Sequence, residues 1–455
     1  MRARAEPLVL AAGAIYVLFV GWAMSSLSYD IWGALVAAPL LVLVTVPLLR
    51  RAFSSELGHL FPIAVAGLVA KFAGSAFRYW VAFDAYGGAA DASAYHNRAR
   101  QLAAGIRSGS VSLRDAIPHS TGTEFIDQLT GLFYAVFGSS ILAGFLFYGL
   151  MAFWGAVFFV RAAVIAVPGL AARRYAALLF FVPTMLYWPS SIGKEAWLCL
   201  CLGVASYGIA LLLSGRRSFS ALVVTGLALA GAGFARPHFV AIWVGALVVA
   251  LGFGVLTGSG GRSGRSRLGA AILVGVAAIG LFFVATATVR YLNPQDDSAV
   301  VATTDRLDEI FDETQRRTGQ GGSSFDTITV AGPQDWPEAV VRTLTRPMLN
   351  EAGSLAELLP AIEMTLLLAW AMVGWRRFAN IPRLFLKSSY LVFAAIALFM
   401  FGLAFARVGN LGLLTRQRSL VVPLLLVFWC VPRRSLPVSR PVPAPVDFPD
   451  LLVPR

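Results

Sequence analysis

The chain has 455 residues, 58% hydrophobic and 13% charged, with mean hydropathy +0.72 and a formal net charge of +13. A water-soluble fold of this length cannot hide that much apolar surface, so the composition excludes an ordinary soluble domain and implies a polytopic membrane protein. The positive charge sits mostly in short arginine clusters between apolar runs, as in cytoplasmic loops. It therefore marks orientation and argues against a nucleic-acid partner.

Met1, Arg2 and Arg4 form a short basic start, placed in the cytoplasm. A first helix is predicted from about Leu8 to Leu27 and is read as retained, because no convincing cleavage site accompanies it. A turn at Ser28 to Asp30 leads to a second helix, Ile31 to Leu49, closed inside by Arg50 and Arg51. A third, Leu60 to Phe83, carries Lys71 near its middle and Arg78 toward its outer end, and completes a first unit, residues 1–83. The polar segment 84–128 follows outside. In the core, 129–289, the stretch Leu129 to Val167 is too long for one span. It is read as a surface or dipping segment to Gly138 and then a helix to about Val160. Helices over Tyr175 to Trp188, Ala196 to Leu213, Phe219 to Ala235, Phe239 to Leu256 and Leu268 to Val289 come next. A Gly/Ser-rich basic linker, Gly258 to Arg267, is placed inside.

Residues 290–357 form the largest outer segment, where Asp305 to Arg317 has a helical pattern with Leu307, Ile310 and Phe311 on one face. The C-terminal helices, 358–434, are Leu358 to Trp375, Ser388 to Ala406 and Ser419 to Val431, and a Pro-rich tail, 435–455, is expected to be disordered inside. The fold class is thus all-α, a bundle of about twelve spans with short surface helices in its outer loops and both termini in the cytoplasm. Neither a soluble catalytic domain nor an internal repeat is visible.

Orientation accounts for the inner arginines and leaves the outer ones unexplained. The outer side holds Lys194, Arg236, Arg407, Arg416 and Arg418 beside the carboxylates Asp84, Asp91, Asp127 and Glu195. Charges at the membrane margin are costly, and cations drawn from distant parts of the chain point to an anionic ligand such as a phosphate or diphosphate. Asp91 either caps the amphipathic segment Arg98 to Ile106 or acts as a general base; Asp84, at the membrane edge, is its rival. Tyr95 and His96 are candidate contacts for a sugar or phosphate.

Within Pro189-Ser-Ser-Ile-Gly-Lys194-Glu195, Lys194 either snorkels with Glu195 or meets a lipid phosphate, helped by Ser190, Ser191 and the N-terminus of the next helix. Arg236-Pro237-His238 follows a small-residue helix (Gly226, Gly231, Gly233), with Pro237 exposing backbone near Arg236. Arg416 and Arg418 precede the last helix against the orientation rule, and are read as ligand-binding over a salt-bridge role. Lys71, mid-span, needs a partner, and Glu363 is one candidate; structural pairing and an ion pathway are the two readings. Cys199, Cys201 and Cys430 lie in apolar runs and are read as packing residues. No cofactor is required by any motif. The four histidines form no ligand-spaced cluster, and the outer carboxylates leave room for a divalent cation without specifying one.

Taken together, the many-span bundle, the Asp-bearing outer loop (Asp84, Asp91, Tyr95, His96) and the outer cations resemble a GT-C-type integral-membrane glycosyltransferase. Here two extra spans precede that loop. The pieces Trp188 to Glu195, Arg236 to His238, Arg346-Pro347 with Glu351, and Arg416 to Arg418 are similar to a broader set of bacterial membrane proteins that includes O-antigen polymerases and ligases. The resemblance implies a bacterial inner-membrane enzyme that takes a sugar from a polyprenyl-(di)phosphate-linked donor and passes it to a cell-envelope glycan acceptor outside. The carboxylate would be the base, and Lys194, Arg236, Arg416 and Arg418 would hold the phosphate. A polymerase or ligase, and a lipid-linked-sugar flippase or ion-coupled transporter built on Lys71 and Glu363, are the alternatives.

Overall fold

The computed structural model describes residues 2–88, 91–215, 219–257 and 332–432, with the single positions 275, 280, 325 and 330. The expected span Leu268 to Val289, the linker Gly258 to Arg267, the helical pattern Asp305 to Arg317 and the Pro-rich tail lie outside the described residues, as does most of the large outer segment. Among the described residues the fold is all helical, with no strand.

The first half comprises α1 (Arg2–Ser26), α2 (Tyr29–Ala52), α3 (Phe61–Trp80), α4 (Asp91–Ser108), α5 (Leu113–Ala116), α6 (Thr123–Phe137), α7 (Ile141–Ala166), α8 (Ala172–Phe181), α9 (Pro183–Tyr187), α10 (Lys194–Leu213), α11 (Phe219–Ala235) and α12 (Pro237–Thr257). The second comprises α13 (Trp336–Thr345), α14 (Leu355–Val373), α15 (Trp375–Phe378), α16 (Ile381–Phe385), α17 (Ser389–Ala404), α18 (Leu411–Arg418) and α19 (Val422–Cys430). Among the described residues five helices are long and apolar enough to cross a membrane, or up to seven if each of two bent pairs counts as one span. The chain is a membrane protein on that ground. The stretch Leu129 to Val167 divides as expected. Gly138, at φ +87°, ends α6, and Ser140 caps α7 by accepting from the Ala143 N–H at 3.0 Å.

The centre is the pair α7 and α10. A Cβ on Gly155 would lie 2.2 Å from the Cys199 carbonyl oxygen, and one on Gly203 2.3 Å from that of Gly155, so the two backbones touch where only glycine fits. Gly144 meets Ile192 near one end, and Arg161 stacks on Tyr207 near the other. The two helices therefore run parallel, and the chain must return between them through α8 and α9.

That return is broken where Val182 leaves the helical conformation before Pro183, and the break explains the mid-span charges. Lys71 donates to the Met185 carbonyl at 2.6 Å, and Glu363 accepts from the Thr184 N–H at 2.6 Å. In hydrocarbon a broken helix must have its backbone groups satisfied by protein. Lys71 and Glu363 do so separately, so the expected direct pairing between them is replaced by a shared hold on α9.

Two ends of the bundle follow. At one, Arg174 and Arg377 stack on Trp370, and Arg377 donates to the Trp429 carbonyl at 3.0 Å. At the other, α4 lies on α6 through Ala92, Tyr95, Ala99 and Ala103, spaced along one helical face. Cys199, Cys201 and Cys430 are buried and unbridged.

Candidate functional site

Four charged side chains from four helix ends meet beside α4. Glu195 stands in the first turn of α10 and accepts from Arg416 twice, at Nε and Nη2, both at 2.8 Å. Arg236 reaches the same carboxylate through Nη2 at 2.9 Å, and its Nη1 donates to the Gln417 side-chain oxygen. The remaining Arg416 nitrogen, Nη1, donates to Asp91 at 2.8 Å. The two carboxylates differ sharply: the Glu195 side chain is 4% exposed and that of Asp91 65%.

Helix polarity explains the placement. Asp91 opens α4 and Glu195 stands in the first turn of α10, where the macrodipole favours a negative charge. Arg416 lies in the last turn of α18 and Arg236 directly follows α11, where it favours a positive one. Pro237 starts α12 immediately after Arg236 and so fixes the turn. Gly193 lets the loop close on the cluster, since a Cβ there would lie 3.3 Å from Glu195 Oε2. Trp197 donates to the Gly231 carbonyl at 2.7 Å, which locks α10 to α11 just below.

Lys194 breaks this pattern. It opens α10, the wrong end for a cation, and the charges facing it include Arg236, Glu195, Arg416, Asp91 and Asp127. It is half-buried and makes no ion pair or hydrogen bond among the described residues; the Glu195 carboxylate beside it is already engaged by both arginines. His238 is a second misfit. Both ring nitrogens are buried with no partner among the described residues, and the ring packs on Phe239 and Phe405.

Of the residues expected to form the site, Asp91, Lys194, Glu195, Arg236 and Arg416 come together. Tyr95, one turn beyond Asp91, joins them. It is buried, and that burial, reinforced by the negative charge of Glu195, raises its phenol above the usual value. The others go elsewhere. Asp84 is exposed in the π-helical turn Val81–Ala85. His96 faces α6, with Nδ1 2.8 Å from the Tyr134 hydroxyl, and burial lowers its pKa. Arg418 is fully buried and donates to the backbone carbonyls of Leu344 and Arg346; two residues past Arg416, it points to the far side of α18. Arg407 donates to the Val330 carbonyl at 3.4 Å. Ser190 donates to Leu186, at 2.6 Å. Glu195, expected among the phosphate contacts, is instead the buried anchor of both arginines.

Gln417 was not among the expected residues, although its place between Arg416 and Arg418 was a signal. Asp127, in sequence one outer carboxylate among several, is half of an ion pair between α4 and α6. It receives Arg98 at 2.6 Å, its other oxygen is buried without a partner among the described residues, and burial raises its pKa. Among the described residues no group of three or more His, Cys, Asp or Glu is arranged to hold a metal ion. No family model, curated relative or solved structure matches the chain.

Proposed function

We propose that this chain is a membrane glycosyltransferase that moves a sugar from a polyprenyl-(di)phosphate-linked donor to a cell-envelope glycan acceptor. The observation that carries the reading is the concentration of fixed positive charge: among the described residues Arg236 and Arg416 pair with Glu195 and Asp91, Arg98 takes the nearby Asp127, and Lys194 is left with no ion pair or hydrogen bond of its own. A leaving phosphate at the membrane margin needs such preorganised cations, because its charge grows as the sugar departs. Asp91 takes the proton of the acceptor hydroxyl, whose oxygen bonds to the anomeric carbon. The bond from that carbon to the phosphate oxygen breaks, and its electron pair stays on the phosphate beside Lys194 and Arg416. Tyr95 lines the sugar side. The topology that goes with this chemistry has about twelve spans in a bacterial inner membrane, both termini cytoplasmic and the cluster outside. A divalent cation is not required by the node, whose two carboxylates already face guanidinium groups.

A polysaccharide polymerase or ligase is the second reading. Asp91 is paired with Arg416, and the cluster is dominated by arginine, which suits chemistry in which Asp91 is dispensable. The transporter reading loses its main support, since Lys71 and Glu363 are engaged by the backbone of α9. The test is release of polyprenyl phosphate from a labelled lipid-linked sugar pool by purified, lipid-reconstituted protein. Loss in Asp91→Asn, with Asp84→Asn active, supports the transferase. Full activity in both, with loss in Arg416→Ala, moves the assignment to a polymerase or ligase. No release by the wild type from any donor overturns both.

A further inference from the structure

The three contacts of Arg416 are unequal. Two go to Glu195, buried and held from the other side by Arg236. The third, from Nη1, goes to Asp91, which is mostly exposed and has no second partner among the described residues. Exposed pairs of this kind contribute little, because water screens them and ordering both side chains costs entropy. A phosphate carries more charge than a carboxylate and several acceptor oxygens. At Nη1 it would also give Lys194 the partner that Asp91 and Glu195 leave it without.

We propose that Asp91 is a displaceable occupant of the phosphate position: a phosphate ester arriving at Arg416 Nη1 and Lys194 expels the Asp91 carboxylate and thereby frees it as a base. The role of the freed carboxylate rests on the glycosyltransferase reading; the exchange itself is a binding property of Arg416. While Arg416 Nη1 donates to it, that Asp91 oxygen is occupied; once expelled, it is open to accept from the acceptor hydroxyl. The acceptor hydroxyl is therefore activated only when the donor is in place, which guards the site against idle proton transfer.

The test measures binding of farnesyl phosphate, inorganic phosphate and farnesol to the full chain in nanodiscs, as wild type, Asp91→Asn and Asp91→Ala. Removal of the competing carboxylate should tighten farnesyl phosphate binding about two- to five-fold in both variants, the scale of an exposed ion pair, and leave farnesol unchanged. Tightening shared by inorganic phosphate assigns the exchange to phosphate alone. Tightening confined to farnesyl phosphate assigns it to a lipid headgroup. Equal or weaker affinity in both variants, or no phosphate binding by any form, overturns the exchange. Tighter binding in a protein that transfers no sugar would leave the exchange standing and remove the transferase. Transfer that needs Asp91 and Arg416, with unchanged affinity in Asp91→Asn, would do the reverse.

Discussion

Arg416 and Glu195 lie 221 residues apart and form a two-point ion pair, both contacts at 2.8 Å, in which the carboxylate is almost wholly buried. The pair ties α18 to the first turn of α10. Arg236, held to the same carboxylate, adds α11.

Glu195→Ala leaves two guanidinium groups beside each other without their buried counter-charge. Removing one partner of a buried pair costs about 3–5 kcal/mol, so this variant should unfold far earlier than Asp91→Ala, whose exposed pair contributes roughly 0.2–1 kcal/mol. Thermal unfolding in detergent checks the order. Equal losses would show that the cluster is not organised around Glu195.

The hold on α9 gives a second expectation. Lys71→Met removes the donor to Met185 and leaves a buried carbonyl unsatisfied, for about 1–3 kcal/mol of stability. Glu363→Gln keeps an acceptor for the Thr184 N–H and should cost less than Glu363→Ala. Hydrogen exchange across residues 182–188 reads the effect locally. Unchanged protection in Lys71→Met, accompanied by loss of ion or lipid flux, would restore the transporter reading.

The sequence places Lys194, Glu195, Arg236 and Arg416 at one end of the bundle by span counting alone, because arginine clusters mark the opposite end. What span counting lacks is helix phase. Arg416 and Arg418 look equivalent in sequence, yet a separation of two residues turns one toward Glu195 and the other into the protein. Adjacent positions diverge as well: Tyr95 reaches the negative charge of Glu195, while the next residue, His96, turns to the Tyr134 hydroxyl. The partners of Lys71 and Glu363 were illegible for a different reason: they are backbone groups, exposed only because Val182 and Pro183 interrupt a helix that hydropathy reads as continuous.

His96 supplies a pH dependence. Burial holds its pKa below the ordinary 6.5; Arg100 pushes the same way, Asp30 opposes, and the Tyr134 hydroxyl is its polar contact. As the pH falls, the unfolded chain takes up this proton before the folded one does. The contribution to stability is therefore complete above about pH 6.5 and is lost as the pH falls through the lowered folded value. His96→Gln should flatten the decline of the unfolding temperature on that acid side. An unchanged slope would show that His96 is not buried neutral.

The contact between α7 and α10 is tested by Gly155→Ala and Gly203→Ala. Each added methyl would fall on a backbone oxygen, at 2.2 and 2.3 Å, so the helices must separate, at about 1–3 kcal/mol. Gly226→Ala, where a Cβ meets nothing, is the matched control. Similar unfolding temperatures in all three would contradict the close approach.

The central claim is that a lipid phosphate is held at Lys194 and Arg416, beside Arg236, which is fixed on Glu195 and Gln417. The most direct measurement is photolabelling of the reconstituted wild type with a polyprenyl phosphate carrying a diazirine beside the headgroup, read by peptide mass spectrometry. The account predicts label on peptides containing residues 188–197, 236–239 and 411–418, reduced in Arg416→Ala. Label confined to the basic cleft of His59, Arg173 and Arg174 at the opposite end would contradict it.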